Sequence, residues 1–202
     1  MTTCDKPFKT YNEQIDLLKN RNLIINNNDF AIHALSTISY YDLINRYQSY
    51  FMPDGNKFID NTTIEQLYSL SMLDKSIQAF ILKYSMLIEN IFKTKLGYTL
   101  SSDFGVDTSF YLAQSKYRES YRNPNSTLTF LSVLSECNKT IADDKIANNP
   151  TLYYRENHNH IPPWILLKNL SFSNTINLFK LLKDLQRNKI IEELIPSTSI
   201  EL

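Results

Sequence analysis

The chain has 202 residues, enough for a sizeable core, with 43% hydrophobic residues, 12% aromatics and three glycines, which excludes disordered and glycine-rich turn architectures and favours helices. Twenty-one basic against twenty-one acidic residues leave no global field to draw in nucleic acid or an anionic membrane, so RNA contact has to come from a local patch. No apolar run approaches the roughly 18 residues that span a bilayer and no apolar leader follows Lys6 and Lys9, so the expectation is a cytoplasmic protein with no membrane contact.

The first predicted element covers residues 10–21, where Tyr11, Ile15 and Leu18 form one apolar stripe behind Pro7. Asn26, Asn27 and Asn28 mark a turn and a cap for a second helix with Phe30, Ala34, Leu35 and Ile38 inside. A third, over residues 41–51, presents Leu43, Ile44, Tyr47 and Phe51 before Pro53, Asp54 and Gly55 break it. The strongest pattern runs over residues 62–98. There Thr62 and Glu65 make a capping box, and Leu70, Ile77, Tyr84, Ile91 and Tyr98 recur at heptad spacing beside a second row of Leu73, Phe80 and Leu87. This helix, about 50 Å long, is expected to be the spine of the bundle.

A loop is predicted over residues 101–107, a short helix over 108–121, and a helix over 127–146 introduced by the turn Asn123-Pro124-Asn125-Ser126. Residues 151–160 read as polar and irregular, and Ile161-Pro162-Pro163-Trp164 as an extended approach. Helices over 164–170, 174–185 and 188–195 complete the chain. No strand alternation or repeat stands out. The predicted fold is one all-α domain over residues 1–202, with about eight or nine helices around one long central helix.

Cys4 and Cys137 match no metal or CxxC spacing and read as free thiols in a reducing compartment. His33 has no partner at metal spacing, and Asp74 and Glu89, fifteen residues apart, read as structural carboxylates rather than an acid–base pair. With no phosphate loop and no HExxH, no metal and no cofactor is expected. Lys116, Arg118, Tyr121 and Arg122 interleave cations and rings as a single-strand-binding surface does, cations on phosphate and rings on bases, with a solvated helix end as the alternative. Arg155 and His160 stand in R-x4-H spacing, with His158 between them. An imidazole there can exchange a proton with an attacking 2′-hydroxyl or a leaving oxygen while a guanidinium holds the scissile phosphate. The alternative is that Arg155, His158 and His160 hydrogen-bond this segment to the bundle.

The R-x4-H spacing resembles the signature of the HEPN ribonucleases, all-α enzymes that cleave RNA without metal. More of the chain resembles the Abi-like (AbiD/AbiF) family of bacterial abortive-infection proteins. Thr10-Tyr11, Gln14-Ile15, Leu17-Leu18, Arg21 and Leu23 match its first motif, and Tyr40-Tyr41 with Leu43, Tyr47 and Phe51 its second. Asp74 and Glu89 fall where the family carries acidic residues. Pro163-Trp164-Ile165 looks like its PxW element and Ser171-Phe172 like its SFG element, with Ser173 in place of the glycine.

The resemblance implies a HEPN-like helical bundle and an RNA-directed phage-defence toxin. It also implies a homodimer, because HEPN sites commonly assemble across two subunits, and a trigger that is a phage product or a small RNA. One departure matters: the family's C-terminal Arg-Asn-x-x-x-His element is missing, since Arg187-Asn188 is followed by no histidine. The expectation is thus a chain lacking its catalytic helix, a short variant, or one in which Arg155 and His160 serve instead. The rival functions are a non-catalytic helical sensor that binds RNA or protein, and a helical scaffold.

Overall fold

The computed structural model describes residues 6–123, 126–143 and 150–195. They are mostly helical, with one long helix and one small sheet, and they group into two compact units, Met1–Lys83 and Tyr84–Leu202. Cys4, the turn at Pro124-Asn125 and residues 144–146 of a predicted helix lie outside the described residues.

In the first unit, α1 (Tyr11–Asn20) starts at Thr10. The Thr10 hydroxyl accepts from the Glu13 N–H and the Glu13 carboxylate accepts from the Thr10 N–H, so two orphan donors are satisfied reciprocally. The helix stops at Asn22, in the left-handed region at φ 69°, whose amide donates to the Phe58 carbonyl and to Asp60. Asn27 caps α2 (Asn28–Thr37), which buries Ala31, Ala34 and Leu35. The predicted third helix is broken instead into α3 (Tyr40–Ile44), a 3-10 turn (Asn45–Tyr47) and α4 (Gln48–Phe51). At the break Tyr47 is buried and its hydroxyl donates to the Asp74 carboxylate at 2.7 Å, a tertiary bond that local periodicity does not encode. Ile15, Leu18, Leu35, Leu43, Ile44, Ile64 and Leu67 belong to this unit's core.

A single parallel bridge, Ile24 N–H to the Thr62 carbonyl and Ile64 N–H to the Ile24 carbonyl, leads into α5 (Ile64–Phe104). Its capping box is one residue later than expected. Gln66 N–H donates to Thr63 Oγ1 at 3.2 Å and Thr63 N–H to Gln66 Oε1 at 3.0 Å, whereas Thr62 is buried with its hydroxyl on the Ile59 carbonyl. Either register offers a hydroxyl and a side-chain carbonyl three residues apart, and burial of Thr62 selects between them. The helix spans 41 residues, about 60 Å, and continues through the predicted loop until Gly105, at φ 87°, stops it. Ile64 and Leu67 near its start and Leu96 and Leu100 near its end are buried. The seam expected to be a packed spine is not covered within the chain: Leu73, Ile77, Phe80, Tyr84, Leu87, Ile91 and Tyr98 are all exposed, as is every residue from 75 to 88, while the buried Ile64, Leu67, Leu96 and Leu100 lie off both rows.

In the second unit, the predicted helix over 108–121 is only α6 (Thr108–Tyr111) and a 3-10 turn (Gln114–Lys116). An antiparallel hairpin follows, β1 (Ser120–Asn123) with β2 (Ser126–Thr129), which corrects the expectation of no strands. Tyr121 and Leu128 face each other and both pack on the core, while Arg122 and Thr127 are exposed: a period of two, too short to stand out in sequence. Next come α7 (Phe130–Ala142), α8 (Pro150–Asn157), α9 (Pro163–Asn169), α10 (Phe172–Leu181) and α11 (Asp184–Leu194). The segment read as polar and irregular is thus largely α8. Pro150 suits a first helical turn, and buried Thr151 accepts from the Asn169 amide at 2.7 Å, anchoring α8 to α9. Leu96, Leu100, Phe130, Val133, Leu166, Leu178 and Ile190 are in this unit's core. No helix among the described residues is long and apolar enough to cross a membrane.

Candidate functional site

His160 follows α8 and owes its position to its neighbour. The Ile161 carbonyl accepts from the Tyr111 hydroxyl at 2.7 Å and from Thr108 Oγ1 at 3.1 Å, which ties this strand of backbone to α6. Tyr117 donates in turn to the Tyr111 carbonyl at 2.7 Å, and burial pushes both phenols up and out of any acid–base role at neutral pH. The His160 Nδ1 lies 2.9 Å from Asn159 Oδ1, within hydrogen-bond distance. Asp107, which caps α6, is held below the usual carboxylate range, chiefly by the Ser109 hydroxyl and N–H, with a smaller contribution from the charge of His160.

Arg155 sits on α8, where its Nη1 donates to the Ile141 carbonyl at the end of α7 at 2.7 Å. His158 lies against the Tyr154 ring at 4.6 Å between centroids and near Tyr153 at 5.8 Å. The R-x4-H spacing therefore sets Arg155 on a helix–helix junction, His158 on a tyrosine pair and His160 beside Asn159.

The residues from Lys116 to Arg122 are not one solvated helix face. Lys116 Nζ stands 5.3 Å from the Phe104 ring centroid, and Tyr117 is buried in a stack with Phe130. Arg118 is paired with Asp184, Tyr121 is half-buried beneath Lys180, and Arg122 is exposed on β1. Strand alternation on β1 turns Tyr121 toward the core and Arg122 to solvent. His33 is exposed near Tyr68, Asp74 holds Tyr47, and Glu89 pairs with Lys93 at 2.7 Å. Cys137 is free and buried, and desolvation pushes its thiol up to about 12, so it is no nucleophile. Among the described residues no cluster of His, Cys, Asp or Glu could hold a metal ion.

A separate groove of about 670 Å³ opens between the end of α5 and α9, with Glu89, Asn90, Lys93 and Tyr98 on one wall and Trp164 and Lys168 on the other. Gly97 packs against α9, where an added Cβ would stand at van der Waals distance, 3.4 Å, from the Trp164 Cα. Sequence reasoning missed this groove, although Glu89/Lys93 and Trp164/Lys168 both carry the i, i+4 spacing that places side chains on one helix face.

A family model described as Abi-like protein matches residues 33–201. The chain belongs to that family. No curated protein and no solved structure matches it. The match takes in Tyr40-Tyr41, the α8 segment with Arg155 and His160, and Pro163-Trp164 in the groove, while residues 10–23, read above as the first motif, lie before it. Membership supports a role for this Abi-like protein in abortive infection, the defence of a bacterial population against phage.

Proposed function

We propose that this Abi-like protein is an RNA-directed effector of abortive infection acting as a metal-independent endoribonuclease, with His160 exchanging the proton and Arg155 holding the phosphate. The observation that carries this reading is the backbone anchoring of the His160 segment: Tyr111 and Thr108 hold the Ile161 carbonyl, and Asn159 contacts the imidazole at Nδ1. A fixed, oriented imidazole is what general acid–base cleavage of a phosphodiester asks for. The exposed Arg122 and the Tyr153–His158 ring contact offer cation and stacking surface for RNA, whereas Lys116, Arg118 and Tyr121 serve mainly the fold.

The protein acts as a homodimer through the middle of α5. Leu73 and Ile77 of the first unit and Leu87 and Ile91 of the second are exposed apolar positions of the heptad rows and candidates for that interface.

A second reading, a non-catalytic sensor that binds a phage product or a small RNA, is favoured by the Arg155 bond to the Ile141 carbonyl, which gives that guanidinium a structural task. Labelled single-stranded RNA incubated in EDTA with the chain, with His160→Ala and with Arg155→Ala/His160→Ala separates the two. Cleavage lost in both folded variants upholds the nuclease. RNA bound but uncut by the parent chain upholds the sensor.

A further inference from the structure

We propose that the groove between α5 and α9 is a binding subsite for one unpaired ribonucleotide of single-stranded RNA, distinct from the His160 segment. The inference rests on the reading that the protein acts on RNA and adds where the strand is gripped.

Three kinds of group meet there in the combination a nucleotide needs. Trp164 and Tyr98 are 49% and 66% exposed, in a molecule whose other aromatics include fully buried rings such as Tyr111 and Phe130. Two rings left half in water on facing walls of one groove offer the π-surface on which a base stacks. Lys168, exposed on α9 four residues after Trp164, supplies a cation for the phosphate that follows a stacked base.

The remaining groups are acceptors and donors at fixed places. Lys93 bridges the Glu89 carboxylate at 2.7 Å and the Leu170 carbonyl at 2.7 Å, so its ammonium is committed and holds Glu89 in one orientation. The second Glu89 oxygen can accept from a 2′-hydroxyl, the group that tells RNA from DNA. Exposed Asn90 offers a donor and an acceptor for a base edge. A volume of about 670 Å³ admits one nucleotide, not a duplex.

Trp164 is the only tryptophan of the chain, so its fluorescence reports on the groove alone. The full chain is titrated at low salt with a ten-residue oligoadenylate, with its deoxy counterpart and with AMP, while anisotropy of the fluorescein-labelled oligonucleotides follows total binding. Saturable quenching by the RNA is expected, weaker quenching by the DNA and by AMP, and losses of about tenfold in RNA affinity for Tyr98→Ala and several-fold for Lys168→Ala. Trp164→Ala is expected to lose the signal and to weaken the anisotropy change as Tyr98→Ala does. RNA binding without quenching, undiminished in Tyr98→Ala and Lys168→Ala, overturns the subsite and leaves the RNA reading standing. Quenching by AMP with no binding of the oligonucleotide overturns RNA as the ligand and the RNA reading with it.

Discussion

Asp103, near the end of α5, shows how single side chains hold the second unit together. Burial alone would raise its pKa, but hydrogen bonds from Lys189, Ser102 and Gln186 outweigh that and hold it below the usual value, while the same carboxylate raises Lys189. The depressed Asp103 stabilises the fold above its unfolded pKa near 4 and loses that contribution as pH falls through the lower folded value; the raised Lys189 stabilises below about 10.5 and loses it as pH climbs through its higher folded value. Asp103→Asn should therefore lower Tm at pH 7 and flatten its decline between about pH 5 and 2, as read by circular dichroism. Tyr111→Phe should cost about 1 kcal/mol in denaturant unfolding, because the Ile161 carbonyl keeps Thr108 as a partner, and should reduce any RNA cleavage further than stability explains, because the His160 backbone loses its shorter anchor. Cys137 should resist alkylation in the native state and react fully once the chain is unfolded, as mass spectrometry of the carbamidomethylated protein would show.

Among the elements, α5 carries the sharpest lesson. Its heptad rows were plain in the sequence, and so was a capping box, but the box has two registers with equal chemistry and the buried one could not be told from the exposed one without the Ile59 carbonyl. Thr63→Ala should destabilise the first unit by about 1 kcal/mol and Glu65→Ala by much less, a contrast that urea titration of the two variants would reveal. The hairpin β1–β2 escaped notice for a related reason. Four-residue strands give two turns of alternation at most, and the interleaved Tyr121 and Arg122 read equally well as a helix end. Likewise α8 hid behind its polar residues, since its burial comes from Thr151 contacting Asn169, a pairing eighteen residues apart.

For the whole molecule, the exposed heptad rows of α5 are where the proposed dimer is tested. Light scattering on a sizing column at micromolar concentration should give twice the chain mass of 23.6 kDa, and Ile77→Glu/Leu87→Glu should give the single mass with helicity retained. A clean monomer from the parent chain would sink the dimer. The amino-acid sequence by itself determined the helical class, the long α5, most helix cores and the Abi-like membership, because apolar periodicity and local capping depend on residues only a few places apart. Tertiary structure alone decided that both heptad rows of α5 stay exposed from Leu73 on, that Arg155 meets the Ile141 carbonyl of α7 while Ile161 beside His160 is held by α6, and that Tyr98 and Lys168 line one groove with Trp164. Those facts rest on contacts between residues fourteen or more places apart, whose pairing is set by how whole helices pack and leaves no periodic trace along the chain.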